Sequence, residues 1–167
     1  MNPDVPGAAN LPEFREAQAA ALALPKTAMA VATDIGLPND LHPTNMQDAG
    51  MRLALLAEMN VYGKDILGAS PLFDRLSAEG TQVRVWFKYA KGGLAARGGL
   101  PLRGFEVADA KGVFAPASAV IDGETVVVSN AGIPAPTALR YNWAHNPDGN
   151  LVNSADLPAA PFRCAVP

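Results

Sequence analysis

Near Gly68 the sequence changes texture, and that change constrains the fold more than any single motif. Upstream, one long helical pattern and one continuous apolar run alternate with a Gly/Pro/Asn/Asp loop. Downstream come short runs of alternating polarity separated by glycine-rich turns. The first pattern belongs to an α/β layer and the second to an antiparallel, mostly β unit. We therefore expect a flexible leader at 1–10, an α/β segment at 11–67, and a sandwich-like β domain at 68–167.

In the upstream part, Leu11 to Ala23 predicts a short helix. Pro12 suits the first turn, Glu13 and Glu16 favour its positive end, and the body is rich in alanine. Pro25 ends it. Thr27 to Thr33 is uncharged and continuous, the pattern of a strand buried on both faces, with Asp34 at its C-terminal end. The loop DIGLPNDLHP follows. Thr44 to Gln47 then reads as a capping box, with Thr44 as cap and Gln47 reaching back. Met46, Ala49, Leu53, Leu56, Ala57 and Val61 form the apolar face of the helix that starts there, and Tyr62-Gly63 supplies its stop.

Downstream, strands are predicted at Gln82 to Tyr89, Gly104 to Val107, Ala117 to Ile121 and Glu124 to Ser129. Val83, Val85 and Phe87 alternate with Arg84, Trp86 and Lys88, the period of a sheet with one buried face. Asp122-Gly123, between two Val/Ile-rich runs, predicts a hairpin turn. The Pro- and Asn-rich tail from Ala144 to Pro167 is expected as an ordered loop over the surface.

Charge narrows the function classes. The 167 residues carry a net charge of −3 and scattered basic residues, a poor match for phosphate backbones. No apolar run approaches the roughly 20 residues that span a bilayer. The opening MNPDVPGAAN lacks the basic and apolar regions of a signal peptide. Cys164 is the single cysteine, so neither an internal disulfide nor a cysteine metal site is expected, and nothing calls for a cofactor.

The chemistry concentrates between Asp34 and Pro43. Serine hydrolysis needs a histidine to take the hydroxyl proton and a carboxylate to orient it. His42 lies in a loop beyond the expected strand, where open α/β sheets present catalytic groups, and just before a helix N-terminus that favours neutral imidazole. Asp40, two residues away, and Asp34, at the strand end, are alternative partners. His145 sits in an Asn/Pro-rich loop and reads as a surface residue.

The run FREAQAAALALPKTAMAVATDIGLPNDLHPTNMQDAGMRLALLA resembles the last α/β segment of the sialate O-acetylesterase family, relatives of the SGNH hydrolases. Collinear matches follow in Tyr62-Gly63, Gly68 to Pro71, Val83 to Phe87, Gly93-Leu94, Leu102 to Val107, Arg140 to Trp143, Asn150 to Asn153 and Asp156 to Arg163. The resemblance implies the last strand and helices of an SGNH-like hydrolase sheet followed by the β-rich domain. It implies an O-acetylated sialic acid or other acetylated sugar as substrate, His42 as base, Asp40 as its orienter, and an extracellular or periplasmic location. Two positions depart from the pattern: Asp-x-x-His would place the carboxylate at Asn39, and relatives carry Lys where Met46 stands.

In that family a serine in a Gly-x-Ser-Asn block attacks the acetyl carbonyl. The five serines here, Ser70, Ser77, Ser118, Ser129 and Ser154, lie outside any such block. The expectation is a C-terminal portion of an esterase, inactive alone, completed by an N-terminal hydrolase portion or an oligomeric partner. The alternative is a non-catalytic carbohydrate-binding or interaction module, with Trp86 and Trp143 available to stack on sugar rings.

Overall fold

The computed structural model describes residues 10–38, 40 and 42–167; the leader, apart from Asn10, lies outside the described residues. The first helix forms as its composition predicts: α1 spans Leu11–Ala20, with Pro12 in its first turn, and a 3-10 turn continues it over Ala21–Ala23. The second, α2, spans Met46–Asn60. Its cap falls one residue later than the capping box implies. The Asn45 side chain accepts from the Asp48 backbone N–H at 3.2 Å and donates to the Asp48 carboxylate at 2.8 Å. Asparagine caps better than threonine, and this reciprocal pair uses both ends of its amide.

Two expectations for this region are corrected. Thr27 to Thr33 is not in a ladder strand, because no described residue lies beside it to pair with. Val31 is buried, but Thr27, Ala28 and Ala32 are exposed and the rest of the run is only partly buried. The expected α/β remnant is thus two helices and an extended segment. The apolar face assigned to α2 is also largely outward: Met46, Leu53 and Val61 are exposed, while the buried positions are Arg52 and Leu56. A 52/56 spacing places both on one side of the helix, so a charge, not an apolar stripe, occupies the inward face.

The remainder is mostly β. One sheet has the order β1-β2-β7-β6, from β1 (Leu72–Glu79), β2 (Gln82–Lys88), β6 (Ser118–Asp122) and β7 (Thr125–Ser129). A second has the order β10-β8-β4-β5, from β4 (Phe105–Ala108), β5 (Phe114–Pro116), β8 (Ala138–Tyr141) and β10 (Phe162–Ala165). A small ladder joins β3 (Leu94–Ala96) to β9 (Leu151–Asn153). All pairings are antiparallel. Val83, Val85, Val126 and Val128 of the first sheet share one buried cluster with Phe105, Val107, Leu139, Tyr141 and Phe162 of the second. This is the alternation expected of two sheets burying their inner faces together. In the β6–β7 hairpin, Asp122 pairs with Thr125, so the two turn residues are Gly123 and Glu124. Gly123 takes a φ of 61°, which glycine accepts without strain.

Ala144 to Asn150 is loop as expected, but from Leu151 on the tail is not surface loop. Leu151 and Ala159 are fully buried, and Val152, Leu157 and Phe162 nearly so. Asn153, 2% exposed, organises this stretch. Its amide nitrogen donates to the carbonyls of Ala69 at 2.9 Å and Tyr89 at 3.0 Å. Its oxygen accepts from the N–H groups of Ala155 and Leu157. One side chain satisfies four backbone groups from three separate segments. The half-buried Cys164 donates weakly to the Leu139 carbonyl, and burial pushes its thiol up to about 12, so it stays protonated. No described helix is long and apolar enough to cross a membrane.

Replacing Asn153 by Ala leaves buried backbone donors and acceptors without partners, each costing about 1–3 kcal/mol. We expect Asn153→Ala to lower unfolding free energy by about 3 kcal/mol or more, read by urea denaturation. A loss below about 1 kcal/mol would show that the hub is dispensable.

Candidate active-site loop

The loop between Asp34 and α2 is anchored from below. Asp34 has a side chain only 13% exposed, and its carboxylate receives Arg52 in a bidentate pair: Nη1 to Oδ1 at 2.6 Å and Nη2 to Oδ2 at 2.7 Å. Arg52 Nη1 also donates to the Val31 carbonyl at 2.6 Å. Arg97, in a turn after β3, adds a third contact from Nη1 to Asp34 Oδ2 at 2.6 Å. The same guanidinium reaches Asp156 through Nε at 2.8 Å and Nη2 to its carbonyl at 2.5 Å. A continuous chain of charges thus ties α2, the loop and the β-rich part together.

Burial alone would raise the pKa of Asp34, but hydrogen bonds from Arg52 and Arg97 and the Arg52 charge outweigh it and hold the carboxyl below its ordinary range. For Arg97, desolvation pulls downward, and its bonds to Asp156 and Asp34 raise it instead. Asp34 and Arg97 both stay charged at neutral pH. The Arg52 Nε is buried without a partner among the described residues, a cost that the tight bidentate pair offsets.

Asp40 and His42 sit above this base. Asp40 Oδ1 accepts the backbone N–H of His42 at 2.8 Å, a local turn that fixes where the histidine leaves the main chain. Asp40 also bridges back to Leu37 across the loop. The His42 side chain is exposed and makes no hydrogen bond with a described residue. Structure therefore brings Asp40 to the His42 backbone, and commits Asp34 to two arginines. Asn39, the position that the Asp-x-x-His pattern favours, lies outside the described residues. His145 is exposed, and its carbonyl accepts from Arg15 Nη2 at 2.9 Å.

Among the described residues no serine hydroxyl bonds to a histidine. Ser70 is buried, and Ser154 Oγ donates to the Lys91 carbonyl. Of the tryptophans, Trp86 carries the Arg75 guanidinium at 4.4 Å and Trp143 that of Arg163 at 4.8 Å. Sequence reasoning missed Arg52, Arg97 and Asp156. A signal for the first was present: an arginine one helical turn before Leu56, on the side that packs inward.

The chain superposes on the crystal structure of a carbohydrate acetylesterase from Xanthomonas citri with a TM-score of 0.88 and 44% identity, covering 92% of this chain and 36% of that one. It therefore spans about a third of that protein's length. No protein-family model and no curated protein matches it.

Two measurements check the anchor. Arg52→Ala, which strands the Asp34 charge in a half-buried setting, should cost about 3 kcal/mol of stability, and an effect within about 0.5 kcal/mol would remove the anchor from the account. The pH dependence has a defined sign. With a lowered folded pKa, the contribution of Asp34 is complete above about pH 4 and is lost as pH falls through the folded value. Asp34→Asn should therefore flatten the acid limb of the stability profile. An unchanged acid limb would contradict this assignment.

Proposed function

We propose that this chain forms part of a carbohydrate esterase that removes acetyl groups from sugars, with His42 as general base and Asp40 as its positioning residue. The observation that carries the reading is the 44% identity with a carbohydrate acetylesterase over 92% of this chain. The anchored loop supports it, because a general base must be held within hydrogen-bond reach of the proton it takes.

In this reading a serine hydroxyl attacks the acetyl carbonyl while the His42 imidazole accepts its proton. Collapse of the tetrahedral intermediate expels the sugar oxygen, which His42 protonates, and water then releases acetate from the serine by the same route. Asp40 holds the His42 backbone in place. The serine and oxyanion donors come from a hydrolase portion beyond these residues or from a partner subunit, since none of the five serines bonds to His42 among the described residues. The family resemblance points to an O-acetylated sialic acid or other acetylated sugar as substrate and to an extracellular or periplasmic site of action.

Hydrolysis of p-nitrophenyl acetate, measured with the chain alone and with the hydrolase portion supplied, tests the proposal. Activity is expected only in the completed protein. There His42→Ala should lower kcat by about 10³-fold or more, and Asp40→Ala, which removes the acceptor for the His42 N–H, by about tenfold, with little change in KM. Turnover by the chain alone that disappears on replacing one of its own serines would overturn the division of labour. Full activity of His42→Ala would overturn the base.

A further inference from the structure

A cleft of about 310 Å³ opens where the start of β4 meets the loop that follows β8, lined among others by Glu106, Pro116, Asn142, Trp143, Pro147 and Asp148. None of its lining residues belongs to the His42 loop. The volume is at the small end of the roughly 300–1,000 Å³ typical of ligand clefts, a match for a sugar ring and not for a globular partner.

Asn142 is the informative residue. It is only 5% exposed, and its backbone is held in the left-handed region at a φ of 52°. The amide oxygen is occupied by the Gly149 N–H at 2.8 Å. The amide nitrogen donates to nothing among the described residues, which leaves two N–H donors of a deeply set side chain for the cleft. That nitrogen is not one of the fully buried atoms left without a partner among the described residues, so it reaches solvent at the cleft wall, and its open donors mark a place for an acceptor.

The other walls complete the pattern. Arg163 lies against the half-buried Trp143 ring, and Glu16 holds that guanidinium at 2.8 Å, so the indole is braced in position. The Glu106 carboxylate is oriented by Arg140 at 2.8 and 3.1 Å and keeps lone pairs unused. The side chain of Asp148 is 80% exposed. The cleft thus offers an aromatic surface, two amide donors and two carboxylate acceptors, with no lysine or arginine in its lining. Sugar hydroxyls donate and accept at once, while ring C–H faces stack on aromatics. Glu106 is paired with Arg140 and Asp148 lies 3.8 Å from Arg103, so the carboxylate charges are balanced and the cleft suits a ligand without net charge.

We infer that this cleft binds a neutral sugar ring, with Trp143 as stacking platform, Asn142 as donor to a ring or hydroxyl oxygen, and Glu106 and Asp148 as hydroxyl acceptors. The inference rests on the carbohydrate part of the proposed function and not on the esterase step.

Titration of the isotope-labelled chain, followed by the Asn142 side-chain amide and Trp143 indole resonances, tests it. The probes are xylotetraose and lactose as neutral sugars and N-acetylneuraminic acid as an anionic one. A neutral probe should shift both resonances saturably, and the anionic probe should bind at least about tenfold more weakly. Asn142→Asp keeps the acceptor for Gly149 N–H and removes the donors, so affinity should fall about tenfold. Trp143→Ala should abolish binding and Trp143→Phe should retain part of it, which separates loss of the platform from loss of the fold. The inference is overturned if neither neutral sugar shifts these signals, if Asn142→Asp binds as tightly, or if the acidic sugar binds best. Saturable binding by the chain together with a completed protein that shows no esterase activity would leave the cleft standing and remove the esterase reading; an active completed protein whose cleft binds no neutral sugar would do the opposite.

Discussion

The Arg52–Asp34 pair is the constraint on which the candidate loop depends. Asp34 follows an extended segment without strand neighbours among the described residues, so no ladder fixes where that segment ends. The bidentate contact from α2 does that instead, and Arg97 carries the restraint into the β-rich part, where Asp156 takes its other side. Such a pair is weak evidence for overall stability, because desolvating both charges costs much of what their attraction returns. Its value is geometric. A planar guanidinium meeting a carboxylate edge to edge permits few arrangements, and a misplaced loop would leave two buried charges unpaired.

That rigidity explains how two carboxylates in one loop divide their roles. Asp34 is saturated by arginines and has little capacity left to orient a histidine. Asp40 spends its recorded contact on the His42 backbone, which settles where the side chain starts while the imidazole faces outward. In the proposed reaction, a histidine presented in this way suits a partner group that arrives from a facing surface.

The β-rich part applies the same logic to neutral groups. Asn153, at the end of the β3–β9 ladder, satisfies backbone groups from three segments and holds the turn that delivers Asp156 to Arg97. Gly68 allows the junction to close, since a Cβ there would lie 2.5 Å from the Leu55 carbonyl oxygen of α2. Asn142 differs from Asn153 in one respect that bears on function. Its oxygen is used and its nitrogen is not.

Several features were legible in the residues alone. Alternation at Val83, Val85 and Phe87 identified β2 and its buried face, helix propensity placed α1, and the Gly123 hairpin followed from turn chemistry, because each depends on neighbours a few residues apart. The histidine and its nearby carboxylate were likewise visible as a local motif. Tertiary structure decided the rest. It turned the expected strand at Thr27 to Thr33 into an unpaired segment, because pairing requires a neighbour that local sequence does not supply. It buried the tail, whose short strands lack periodicity and are held by Asn153. It assigned Asp34 to Arg52 and Arg97, 18 and 63 residues away, since an ion pair is chosen by distance in space and leaves no trace in spacing along the chain.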